Sequence, residues 1–95
     1  MAEIIWTEHA ILDWESVAAY HSSTSVRHTN LIMQEIERSV ARLGAFPKSG
    51  RVVPELANIN IREVVTNRYR IIYEISNEQV FVLTIHPCLL PLGGE

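Results

Sequence analysis

Five cations crowd one stretch of this sequence: Lys48, Arg51, Arg62, Arg68 and Arg70. Between residues 47 and 73 only Glu55 and Glu63 oppose them. Before that stretch, Glu3, Glu8, Asp13, Glu15, Glu35 and Glu37 outnumber Arg27, Arg38 and Arg42. After it, Glu74, Glu78 and Glu95 meet no base. A basic middle between acidic ends predicts one cationic surface on an acidic body, suited to an acidic partner. The chain as a whole is net −3, which argues against a general nucleic-acid binder. His86 adds a group that can give or take a proton, since an unperturbed imidazole titrates at about 6.5. His9, His21 and His28 show no ligand spacing with one another or with Cys88, so neither a metal nor another cofactor is expected. Each cation also has a plainer reading. Arg70 can pair with Glu63 across a hairpin, Arg62 with Glu63 or Glu55, and Arg51 and Lys48 can simply be solvated.

Elements must hold these side chains in place. Ile4, Ile5 and Trp6 form a short apolar run and predict a first strand. Thr7 can cap the helix that follows, with Glu8 at its positive end. Ala10, Ile11, Trp14, Val17 and Ala18 recur at helical steps and predict an amphipathic helix over about 8–20. The polar break from His21 to Ser25 joins it to a second helix, about 24–43. That helix carries a stripe of Ile32, Met33, Ile36, Val40 and Leu43. Gly44 fits a left-handed cap after it, and Pro47 prevents continuation. Two helices so briefly joined should form an antiparallel hairpin. Residues 47–60 read as an irregular segment. Three strands follow, Ile61–Thr66, Tyr69–Ile75 and Gln79–Ile85, broken at Asn67-Arg68 and Asn77-Glu78. Tyr69, Ile71, Tyr73 and Ile75 share the face expected to pack on the helices. From about residue 87 the chain is expected to be irregular, with prolines at 87 and 91 and a frayed end.

The predicted order is β-α-α-β-β-β. That is an α+β domain, with a helical hairpin on one face of a largely antiparallel sheet. Ninety-five residues make a single domain, 1–95, because two cores would each be too small. One cysteine allows no intramolecular disulfide and is compatible with a reducing cytoplasm. The start of the chain lacks the features of a signal peptide, and no apolar run reaches the roughly 20 residues of a membrane span. The expectation is a cytoplasmic protein without a membrane partner. Trp6 and Trp14 are expected in the core, and Leu89, Leu90 and Leu92 either dock on a partner or fold back on the sheet.

Four segments carry a family resemblance: Ile4–Tyr20, Leu43–Leu56, Ile61–Ile75 and Val80–His86. They combine a Pro-x-x-Gly-Arg loop at 47–51, an Ile-Arg-Glu strand at 61–63 and a Tyr-Arg-Ile-Ile-Tyr strand at 69–73. In this order and spacing they resemble the RelE/ParE toxin superfamily over about residues 3–86. The resemblance implies the element order read above. It also implies a cognate antitoxin whose C-terminal segment wraps the toxin, with operator DNA bound only through the antitoxin.

The superfamily divides by target. RelE-like members cut mRNA on the ribosome, and ParE-like members inhibit DNA gyrase. A nuclease of this kind needs a base, an acid and cations around the phosphate. The resemblance places Arg51 and Arg70 at the phosphate, and His86 could move the proton. The rest of the set is thin: Lys48 is the only lysine, and no Arg, Lys, Tyr or His follows His86. With the acidic balance, this favours the gyrase reading, in which Lys48, Arg51, Arg62, Arg68 and Arg70 are contact residues. A third reading keeps the fold as an interaction module without toxicity.

Overall fold

The computed structural model describes residues 1–90 and 92. Its first strand, β1 (Glu3–Trp6), leads into two helices, α1 (Glu8–Ser22) and α2 (Val26–Ala41). Thr7 caps α1, its hydroxyl accepting from the Ala10 N–H at 3.2 Å. The same hydroxyl donates to the Val82 carbonyl at 2.7 Å, so the cap is also tied to the sheet. Ser25 caps α2 by accepting from the His28 N–H at 3.1 Å. The expected stripe of α2 is buried: Ile32, Met33, Ile36, Val40 and, just beyond it, Leu43. On α1 the buried face is narrower. Ala10 and Val17 are buried, Trp14 and Ala18 pack partly, and Ile11 is exposed. Trp6 and Trp14 meet edge to face, with ring centroids 5.6 Å apart, at the margin of the core.

The exit from α2 corrects one expectation. The chain tightens into a 3-10 turn, Arg42–Gly44, with Arg42 in ordinary right-handed geometry at φ −64. Gly44 is therefore no left-handed cap. Its carbonyl instead accepts from the Ala2 N–H at 2.7 Å, which fastens the helix exit to the start of β1. Residues 47–60 also hold more structure than expected. Pro47–Ser49 is a 3-10 turn, and Arg51–Val52 form a two-residue strand, β2.

The remaining strands are β3 (Ile61–Val65), β4 (Tyr69–Ser76) and β5 (Gln79–Pro87). The sheet order is β1-β5-β4-β3-β2, with β1 parallel to β5 and every other pair antiparallel. Both hairpins turn in two residues, and Asn77 supplies a positive φ of 57 at the second. The sequence order β-α-α-β-β-β is thus present, with β2 inserted. β5 runs past its expected end to Pro87. The proline is tolerated because Tyr69 and Pro87 face each other without exchanging hydrogen bonds. The missing N–H points to the side where β1 has already ended. The expected frayed end falls largely on residues outside those described.

The tyrosine face packs on the helices as expected. Tyr69, Ile71, Val82 and Ile85 join Ile32, Ile36 and Val40 in one cluster, and Tyr73 joins Leu43 and Val80 in another. Ile36, Ile71 and Val82 are wholly buried, each stabilising the fold by about 1.5–3 kcal/mol relative to exposure. A register shift lies between Ile72 and Tyr73. Ile72 pairs with Thr84 and Tyr73 with Val82, so Leu83 is an extra residue, a β-bulge. Among the described residues no helix is long and apolar enough to cross a membrane.

Candidate functional site

The antiparallel register decides where the cations go. Val65 lies opposite Arg70, and Glu63 lies opposite both Ile72 on β4 and Arg51 on β2. Cross-strand partners share a face, so Arg51, Glu63 and Arg70 meet on the side of the sheet away from the helices. The Glu63 side chain is fully buried there. One of its oxygens accepts from Arg51 Nε at 2.5 Å and the other from Arg70 Nε at 2.6 Å. Arg70 also forks onto Glu55, with both terminal nitrogens 3.0 Å from the two carboxylate oxygens. Two arginines and two carboxylates thus form one balanced network. Hydrogen bonds from Arg70 hold the Glu55 carboxyl below the usual carboxylate range. The same bonds, first from Glu55 and then from Glu63, push the Arg70 guanidinium up against the opposing effect of burial.

The loop that delivers Arg51 is fixed from below. Tyr73 is buried, and its hydroxyl donates to the Pro47 carbonyl at 2.6 Å and accepts from the Gly50 N–H at 3.0 Å. Burial raises the pKa of this phenol. A Cβ at Gly50 would stand 2.5 Å from the Glu63 carbonyl oxygen and 2.6 Å from the Tyr73 hydroxyl. Only glycine lets the loop lie this close to β3.

The other candidates are dispersed. Arg62 makes no ion pair with Glu63 or Glu55. Its guanidinium donates to the carbonyls of Ile59 at 3.1 Å and Gly50 at 3.0 Å, stitching the irregular segment together. Lys48 is exposed on the 3-10 turn. Arg68 sits at the β3–β4 turn, 3.4 Å from the His28 ring at the start of α2. His86 pairs directly with Arg70 in the β4–β5 register, so it shares the face of Arg51 and Arg70. Its Nε2 lies 3.0 Å from the Leu90 carbonyl oxygen. The structure therefore brings Arg51, Arg70 and His86 to one face and sends Arg62 and Arg68 elsewhere, instead of forming one cationic strip.

Two features had no sequence signal strong enough to find. His21 is buried, with Nε2 2.8 Å from the Tyr69 hydroxyl. Burial, then Arg68 and His28, lower its pKa from the ordinary 6.5. Asp13, on α1, reaches the edge of β5, where one oxygen accepts from the Thr84 hydroxyl at 2.6 Å and the Ile85 N–H at 3.0 Å. A polar residue at helical spacing beside apolar neighbours gives no hint of such a long-range bond.

A helical hairpin on a sheet of mixed direction, with a buried glutamate between two arginines, defines a small α+β class. The family model for ParE toxins of type II toxin–antitoxin systems, parDE, matches residues 4–87, and the chain belongs to that family. Its fold is similar to that of a chromosomal ParDE toxin–antitoxin system from P. aeruginosa, with a TM-score of 0.76 and 17% identity over 92% of this chain and 96% of that one. It is also similar to a YoeB/ParE toxin from Agrobacterium tumefaciens, with a TM-score of 0.62 and 16% identity over 90% of this chain and 96% of that one. Comparison with curated protein sequences finds no match.

Proposed function

We propose that this toxin acts in the cytoplasm by binding DNA gyrase and arresting replication, and that a cognate antitoxin neutralises it. The observation that carries the reading is the Arg51–Glu63–Arg70–Glu55 network. A nuclease needs its cations unsatisfied, so that they strengthen their hold as charge develops on the phosphate. Here carboxylate oxygens occupy the Nε atoms of both arginines and the outer nitrogens of Arg70. Displacing a buried, doubly bonded carboxylate by a phosphate would leave Glu63 without partners. The net charge of −3 is a poor match to ribosomal RNA, which favours basic ligands. Lys48 and the exposed part of Arg51 serve this reading as contact groups toward gyrase. Arg62 and Arg70 hold the surface that presents them.

One observation favours a second reading, the ribosome-dependent mRNA endonuclease. Arg70 and His86 are direct cross-strand partners on the face that carries Arg51. In that case Arg51 and Arg70 clamp the phosphate and His86 moves a proton. Induced expression without antitoxin separates the two, with DNA synthesis followed and transcript ends mapped in one culture. Early replication arrest with intact transcripts is expected. Early cleavage within codons, abolished by Arg70→Ala in a folded protein, would replace the gyrase reading with the nuclease.

A further inference from the structure

The loop between β2 and β3, residues 53–60, is firmly held although most of its side chains lie in water. Val53, at its start, is wholly buried. The N–H groups of Leu56 and Ala57 both return to the Val53 carbonyl, at 3.2 and 3.3 Å. Ala57 takes a left-handed φ of 49, a conformation that strains a residue with a Cβ. The Asn58 side-chain oxygen accepts from the Asn60 N–H at 2.9 Å, and the Asn58 carbonyl accepts from the Ile61 N–H at 3.0 Å. Arg62 then clamps the loop to the turn before β2. Its Nε donates to the Ile59 carbonyl at 3.1 Å, and an outer nitrogen donates to Gly50 at 3.0 Å and, more weakly, to Lys48 at 3.5 Å.

What this framework presents is apolar. Ile59 is 72% exposed and Leu56 46%, and Phe46, two residues before Lys48, is 60% exposed. Ordering a loop costs conformational entropy, which burial of its side chains normally offsets. Here the strained alanine and the arginine clamp hold apolar side chains out in water, with no gain to the isolated chain. An anchor already held in place loses little freedom when a partner covers it.

The charges around these anchors say what the partner must carry. Glu55, the acid of the loop, is taken up by Arg70. Lys48 and Arg62 make no ion pair among the described residues, and Arg62 meets only carbonyls. Arg51 engages Glu63 through Nε and is otherwise largely exposed. The uncompensated charge beside the apolar anchors is positive, which suits an apolar pocket with an acidic rim.

We propose that loop 53–60 and the adjoining turn at 47–49 form the surface that docks on gyrase, Ile59 entering an apolar pocket and Lys48 meeting a carboxylate at its rim. The proposal rests on the gyrase reading and names the contact surface for it. The test is binding of the purified toxin to the purified gyrase holoenzyme, with inhibition of supercoiling followed in parallel. Ile59→Asp and Lys48→Glu alter exposed side chains and should melt as the parent does. Each should weaken gyrase binding and inhibition by about tenfold or more. Leu12→Ser, exposed on α1, should inhibit as the parent does. Parent-like inhibition by either loop variant, or an equal loss in Leu12→Ser, would overturn the docking surface and leave the gyrase reading standing. A parent chain that neither binds gyrase nor slows supercoiling would overturn that reading, and the docking surface with it.

Discussion

Glu63 is the residue on which the exposed face of the sheet depends. Replacing it by alanine leaves two guanidinium groups facing each other, one of them, Arg70, mostly buried. Loss of one partner from a buried network costs about 3–5 kcal/mol, so Glu63→Ala should lower the urea midpoint sharply. Arg51→Ala should cost much less, because the Arg51 side chain is 66% exposed and water can replace part of what it gives. A larger loss from Arg51→Ala than from Glu63→Ala would contradict this ranking. His21 makes the pH dependence specific. Its pKa is lowered in the folded chain, so below the ordinary value of 6.5 the unfolded chain binds more protons. The contribution is whole above that value and is lost as pH falls through it toward the folded-state pKa. Thermal unfolding followed from about pH 7.5 to 5 should show this fall, and His21→Gln should flatten it. Part of this residue-scale picture was legible in the sequence. A two-residue turn at Asn67-Arg68 fixes Val65 opposite Arg70 and makes Glu63 its diagonal neighbour, so that pairing could be read in advance. The second arm could not. Arg51 reaches Glu63 through a two-residue strand in a segment whose prolines and asparagines signal only irregularity.

At the scale of elements, α1 is held to the sheet by few contacts that its own pattern reveals. Its apolar face is narrow, and Ile11 and Leu12 lie exposed. Asp13 compensates by binding the Thr84 hydroxyl and the Ile85 N–H. Asp13→Ala should leave that N–H without an acceptor, at about 1–3 kcal/mol, and Asp13→Asn should retain most of the bond. Amide exchange at Ile85 is the readout. It should quicken in the alanine variant, and unchanged exchange would show that Asp13 is not its protector. The elements themselves were readable from periodicity and caps, because Thr7 and Ser25 do locally what their chemistry allows. Helix ends and strand ends were not. Gly44 was expected to end α2 in a left-handed turn, but the bond from Ala2 to its carbonyl holds a tighter right-handed one. Pro87 was expected to end β5, but it stands where no neighbour asks for its N–H. In both cases a partner distant in sequence overrode a local signal.

For the molecule as a whole, the parallel pairing of β1 with β5 sets the terms. Glu3–Trp6 and Gln79–Val82 are register partners, and Thr7 bonds Val82 from across the chain. A fragment of residues 1–78 keeps both helices and two antiparallel strand pairs but leaves β1 unpaired and the core without Val80, Val82 and Ile85. It should unfold without a cooperative transition, and a sharp melting curve for that fragment would disprove the dependence on β5. Long-range closure of this kind also makes folding slow relative to helical proteins of the same size. The same closure bears on the timing of synthesis. A ribosome adds residues from the N-terminal end, at roughly 5–20 per second, so β1 must wait for a strand far downstream, Thr7 and its partner Val82 being 75 residues apart. Until β5 is made, the nascent chain carries its first strand and both helices with nothing to close them. The sheet therefore cannot close before β5 has been made. The native fold, and whatever surface a partner reads on it, exists only from that moment on.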